Sequence, residues 1–192
     1  MAQLYFYYSS MNAGKSTNLL QSAHNYKERG MSVRLYTYNK DFISSRIGIE
    51  SEATPFLKKT DFSRLLEDPK YPAVKTDPGR VSCILIDEAQ FLTSEQVDDL
   101  ATIVDTLNIP VLCYGIRTDF QGCLFFVSER LLAIADKLIE LKGVCHCGRK
   151  ATMVLRVDRR GNVLTEGPQE LLGREDNYSA VCRKHHRLKE PK

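Results

Sequence analysis

No apolar run in the 192 residues approaches the roughly 18 that a membrane-spanning helix requires. The stretch from Met1 to Tyr8 has neither a basic region nor a long apolar segment, so it does not read as a secretory leader. An excess of one charge is missing too: 27 Lys and Arg against 24 Asp and Glu leave a formal charge of +3. Nucleic-acid binders gather many more cations in one stripe, so the balance argues against DNA or RNA as a partner while allowing one local site for a polyanionic small molecule. Repeats and low-complexity tracts are also absent. With no export signal, the six cysteines (Cys83, Cys113, Cys123, Cys145, Cys147 and Cys182) are expected to stay reduced in a cytoplasmic setting. Core packing or metal binding is then their use, rather than disulfides. The length allows one good core with a small appendage.

The chain alternates strand-like and helix-like segments. Leu4 to Tyr8 is a short aromatic-rich run that breaks at Ser9. From Lys15, Leu19, Leu20, Ala23 and Tyr26 recur near helical spacing, and Gly30 supplies the stop. Val33 to Tyr38 alternates as a second strand, and residues 39 to 80, with four prolines, predict a mobile loop and one short helix. Val81 to Ile86 is apolar on both faces. Thr93 and Gln96 are spaced as a capping box ahead of Val97, Leu100, Ala101 and Val104. A run at Val111 to Tyr114, a helix around Leu131 to Ala135 and a last buried strand at Leu138 to Leu141 complete an α/β pattern with a parallel sheet. After Gly143 the cysteines cluster, and Met153 to Val157 and Val163 to Thr165 flank the turn Asp158-Arg159-Arg160-Gly161 as a hairpin. The reading is two units, residues 1–142 for nucleotide binding and residues 143–192 as a small metal-binding segment.

Ser9-Ser10-Met11-Asn12-Ala13-Gly14-Lys15-Ser16 has P-loop spacing, with serine where the first glycine usually stands. Small residues let backbone N–H groups close around phosphates. Lys15 adds charge at the β- and γ-phosphates, Ser16 offers a hydroxyl to Mg²⁺, and the following helix aims its N-terminus at the anion. Ile84-Leu85-Ile86-Asp87-Glu88 is the companion element, an apolar strand ending in acids near the metal. Glu88 suits either an ATPase, orienting water, or a kinase, accepting a proton from a substrate hydroxyl. The motif alone does not separate these roles.

Cys145-His146-Cys147 and Cys182-Arg183-Lys184-His185-His186 could supply Cys145, Cys147, Cys182 and His185 as a closed structural Zn²⁺ site. His146 or His186 as the fourth ligand, or simple free thiols, remain alternatives on spacing. A small segment with few large apolar residues benefits from such a staple. Cys83 and Cys113 fall in strand-like runs and read as core.

Together, the N-terminal P-loop, Asp87-Glu88-Ala89-Gln90-Phe91 and the two knuckles resemble the zinc-containing thymidine kinases, and the bacterial members most closely. The resemblance runs over nearly the whole chain, through Ser44-Ser45-Arg46-Ile47-Gly48, Tyr114 to Phe125 and Tyr178 to Arg183. It implies a RecA-like P-loop parallel sheet with helices on both faces, and a small zinc segment carrying a lasso loop at about Thr165 to Tyr178. It implies ATP-Mg²⁺ as phosphoryl donor and the 5′-hydroxyl of thymidine as acceptor. Glu88 is then the base, Asp87 and Ser16 hold Mg²⁺, Lys15 neutralises phosphoryl charge, Arg46 assists, and Gln90 lies beside the nucleotide. Met11, Phe120, Phe125 and Tyr178 wall the thymine pocket, with main-chain contacts from Leu171, Leu172 and Gly173. A homotetramer inhibited by dTTP is the further implication.

Overall fold

The computed structural model describes residues 1–68, 80–169 and 177–192. In chain order its elements are β1 (Leu4–Ser9), α1 (Lys15–Glu28), β2 (Ser32–Tyr38), β3 (Phe42–Ser44), β4 (Glu50–Glu52) and β5 (Thr54–Phe56). A 3₁₀ turn at Ser63–Leu66 precedes β6 (Val81–Ile86), and a second at Ala89–Phe91 precedes α2 (Ser94–Leu107). Then come β7 (Val111–Ile116), α3 (Phe126–Ile134), β8 (Lys137–Glu140), β9 (Gly143–Val144), β10 (Lys150–Ala151), β11 (Met153–Val157), β12 (Val163–Leu164), β13 (Asn177–Val181) and α4 (Arg183–Leu188).

Six strands form one sheet in the order β5-β2-β6-β7-β1-β8, every pairing parallel. The pleat explains why β6 is apolar throughout. Ile84 and Ile86 face a core shared with Val97, Leu100 and Ile103 of α2, while Cys83 and Leu85 face the opposite core with Leu19, Leu20 and Ala23 of α1. Each such buried aliphatic side chain contributes about 1.5–3 kcal/mol. This is the parallel α/β arrangement that the alternation of elements predicts, and it is consistent with the P-loop fold that the resemblance implies. The capping box is present: Thr93 accepts from the Gln96 N–H, and the Gln96 side chain accepts from the Thr93 N–H. Burial pushes the Cys83 and Cys113 thiols up to about 12, consistent with inert core positions.

Three segments differ from the sequence reading. Residues 42–52 form an antiparallel hairpin, β3 with β4, and β5 joins the main sheet beside β2, so the expected loop contains three short strands. Alternation over only three residues is too short to register as a period. The short helix expected between 39 and 80 is the 3₁₀ turn at Ser63–Leu66, while Pro69, Pro72 and Pro78 lie outside the described residues. Finally, among the described residues β8 pairs with β1 alone and is an edge strand, with Leu138 48% exposed instead of buried.

Beyond β8 the pairing becomes antiparallel: β9 with β10, and β11 between β12 and β13. The β11–β12 turn is closed by Asp158, whose carboxylate accepts from the Arg160 and Asn162 N–H groups, with Gly161 at φ 87°. This segment docks onto the phosphate loop. Ser10 Oγ donates to the Ala151 carbonyl (3.1 Å), and a Cβ on Gly143 would lie 3.2 Å from Ser10 Oγ.

Candidate active site

The strand–loop–helix that ends β1 and begins α1 places the phosphate loop at the C-terminal edge of the sheet, where open α/β folds bind ligands. Positive φ falls on Asn12 (63°) and Gly14 (78°), not on Ser9, so the loop does not require glycine at its first position. Ser9 Oγ donates to the Ser10 carbonyl (2.7 Å) and accepts from Lys15 Nζ (3.2 Å), and Lys15 also donates to the Ser10 carbonyl (3.0 Å). Lys15 is thereby folded back over the loop. Burial lowers its pKa, while the charges of Glu88 and Asp87 hold it up.

Asp87, at the end of β6 and 5% exposed, accepts from Ser16 Oγ at 2.9 Å and from the Glu88 N–H at 3.0 Å. Burial, then the neighbouring Glu88 charge, raises its pKa to about 6 against the Ser16 and backbone hydrogen bonds. A hydroxyl and a buried carboxylate side by side next to a phosphate loop are two hard oxygens of the kind that Mg²⁺ takes. Glu88 itself adopts φ 55°, a left-handed turn between β6 and the following 3₁₀ turn. Its Oε2 accepts from Gln90 Nε2 at 2.5 Å.

One cleft of about 600 Å³ joins these groups to an apolar end. Met11, Lys15, Ser16, Arg46, Glu88, Gln90, Phe120, Phe125 and Tyr178 all line it, so most of the residues singled out by sequence converge there. Arg46 enters from the β3–β4 turn, close enough for its charge to act on Lys15. Leu171, Leu172 and Gly173 lie outside the described residues.

The cleft also holds residues that the sequence reading did not select, among them Asp119, Val154 and Gln169. Buried Asp119 organises the loop from 117 to 125. Its Oδ1 accepts from the Gln121 and Cys123 N–H groups (both 2.9 Å), and its Oδ2 accepts from Gln169 Nε2 (2.9 Å). The signal was the turn pattern Asp119-Phe120-Gln121-Gly122, with an Asp opening and a Gly at the fourth position. Phe120 is fixed from outside as well: the Arg156 guanidinium lies 5.2 Å from its ring centre, and His186 Nε2 donates to its carbonyl at 2.8 Å.

That last bond helps to decide among the histidines. Cys145, Cys147, Cys182 and His185 bring their ligand atoms within 4.8 Å of one another. His185 Nδ1 is 3.3 Å from Cys145 Sγ and 3.6 Å from Cys182 Sγ, and the Cys147 and Cys182 sulfurs are 3.9 Å apart. A tetrahedral site with metal–sulfur bonds near 2.3 Å needs sulfurs about 3.8 Å apart, so the four fit a metal ion. Cys182 and His185 reach it from the first turn of α4, and Glu190 Oε2 lies 3.7 Å from the other nitrogen of His185. His146 stacks on the His185 ring (4.2 Å between centres).

The comparisons with known proteins agree with this geometry. The thymidine kinase family profile matches residues 2–186. Thymidine kinases of Shewanella oneidensis and Vibrio cholerae are each 53% identical, covering 97% of this chain and 97% of their own. That of Yersinia pestis is 51% identical over 97% of this chain and 95% of its own. The similarity spans the phosphate loop, the acidic strand end and the cysteine cluster alike, and the chain belongs to the thymidine kinase family.

Proposed function

We propose that this protein transfers the γ-phosphoryl group of ATP-Mg²⁺ to the 5′-hydroxyl of thymidine, supplying dTMP for DNA precursor synthesis. The observation that carries the reading is one cleft lined by Lys15, Ser16 and Glu88 together with Phe120, Phe125 and Tyr178, with Asp87 hydrogen-bonded to Ser16 behind it. A planar base fits between apolar walls, and its sugar then points toward the acids.

The bond from the γ-phosphorus to the bridging oxygen of ADP breaks and a bond to the 5′-oxygen forms. Glu88 takes the hydroxyl proton. Lys15 leaves the Ser9 and Ser10 oxygens to meet phosphate charge, and the loop N–H groups and α1 N-terminus hold the anion in line. Arg46 adds a second cation at the cleft. Ser16 and Asp87 are the residues that would hold Mg²⁺, which when bound neutralises charge on the phosphate oxygens. Zinc suits the three thiolates and one imidazole, closed to solvent chemistry and structural in role. The segment from Thr165 to Tyr178, including Leu171, Leu172 and Gly173, would act as the lasso that reads the base through its main chain. A cytoplasmic homotetramer under dTTP inhibition completes the reading, with units 1–142 and 143–192. Among the described residues, no helix is long and apolar enough to cross a membrane.

Transfer of ³²P from γ-labelled ATP to a panel of nucleosides, with and without Mg²⁺, tests it. Thymidine labelled chiefly, and only with Mg²⁺, is the expected result. Labelling of another nucleoside overturns the pocket assignment, and hydrolysis without transfer overturns the kinase.

A further inference from the structure

Gln90 is 4% exposed, and both ends of its amide are engaged by protein. Its Oε1 accepts the Ile116 N–H from β7 at 3.2 Å, and its Nε2 donates to Glu88 Oε2 at 2.5 Å. The first bond dictates the second. A backbone N–H can meet only the oxygen of the amide, so the NH₂ group must face Glu88. Gly115 makes room for this: a Cβ there would come within 3.1 Å of Gln90 Oε1 and 3.2 Å of the Gln90 backbone nitrogen. Glu88 is meanwhile held by its main chain, through its N–H to Asp87.

From this we propose that Gln90 is a positioning residue for the reaction, its amide locking the Glu88 carboxylate so that one oxygen is held and the other points at the acceptor hydroxyl. The assignment rests on Glu88 as the base. It gives Gln90 a role through another side chain instead of through the nucleotide. A free glutamate would sample several rotamers, whereas catalysis requires the base within hydrogen-bond reach of the hydroxyl, and misplacement by about 1 Å costs up to roughly 100-fold.

The test is steady-state thymidine phosphorylation by the full chain carrying Gln90→Glu, Gln90→Met, Glu88→Gln and the Glu88→Gln/Gln90→Met pair. Gln90→Glu keeps the shape and the acceptor for Ile116 but sets acceptor against acceptor at Glu88. Both Gln90 variants are expected to lose about 10–100-fold in kcat with KM for ATP and thymidine little changed. The double variant should be no slower than Glu88→Gln alone, because a residue acting only through Glu88 has nothing further to lose. Additive losses, unchanged kcat, or a loss confined to either KM would overturn the proposal. Full turnover by Glu88→Gln would instead remove Glu88 as the base, and the positioning role with it. Retained transfer by Gln90→Met alongside a crippled Glu88→Gln would sink Gln90 alone.

Discussion

The phosphate end of the cleft comes from one eight-residue loop and one strand end, set on a parallel sheet with extensive apolar cores on both faces. The apolar end is gathered from the loop after β7, from β11, from Gln169 and from β13, and the C-terminal segment that supplies the last three has, among the described residues, a buried cluster of Cys145, Ala151, Leu155, Val181 and Cys182. Two of those five are also metal-ligand candidates. The contrast is one of supporting energy. Burial of many Leu, Ile and Val side chains supports the phosphate loop, while the apolar end rests on a few polar ties and on a small cluster whose cysteines are candidate metal ligands.

The largest expected effect lies at the phosphate end. Glu88→Gln should lower kcat by about 10²–10⁴-fold with thermal stability and KM for thymidine nearly unchanged, read by coupled ADP release and calorimetry. Comparable loss of thymidine binding would mean that the two ends do not separate.

Asp87→Asn should expose a conflict between stability and activity. Burial raises the folded-state pKa from 3.8 to about 6, so between those values the folded chain binds a proton more tightly than the unfolded chain. Stability from this group is therefore fully present below about pH 4 and is lost as the pH rises through about 6, a difference on the order of 3 kcal/mol. In the absence of ATP, the variant should be more stable than the parent chain at pH 7.5, with the gap closing toward pH 4, while phosphoryl transfer collapses. Equal pH dependence of denaturant midpoints in both chains would refute this.

Removing the metal, by chelation or by Cys182→Ser, sharpens the comparison from the other side. KM for thymidine should rise roughly tenfold or more with KM for ATP nearly constant, and hydrogen exchange should accelerate in β9 to β13 but not in β6 or β7. Uniform acceleration would show that the parallel sheet leans on the metal too. A smaller effect is expected from His186→Phe, which loses the donor to the Phe120 carbonyl. A loss of about 0.5–1.5 kcal/mol, or roughly two- to tenfold in thymidine KM at unchanged metal content, would identify that bond as the link between α4 and the pocket.

Most of the parallel sheet was legible because its strands are long apolar runs and its helices carry periodic faces and a capping box. The β3–β4 hairpin was not, since strands of three residues, with Ile43 alone fully buried, are too short to leave a period to read. Leu138 looked buried for the same reason in reverse: apolar composition marks β8 as a strand, but its neighbours decide whether it is central or at an edge. Asp119 escaped notice because its buried carboxylate ties its own loop to Gln169, 50 residues away.

By itself, the sequence singled out the phosphate-loop motif, the Asp87-Glu88 strand end and the three cysteines of the metal-ligand set. These are contiguous motifs whose residue types are dictated by phosphate, proton and metal chemistry. Only the tertiary structure decided that Ser9 needs no left-handed backbone, that His185 joins the thiols while His186 reaches Phe120, and that the Gln90 amide faces Glu88. Those outcomes depend on which backbone groups the packed sheet brings within hydrogen-bond distance, and spacing along the chain does not encode that.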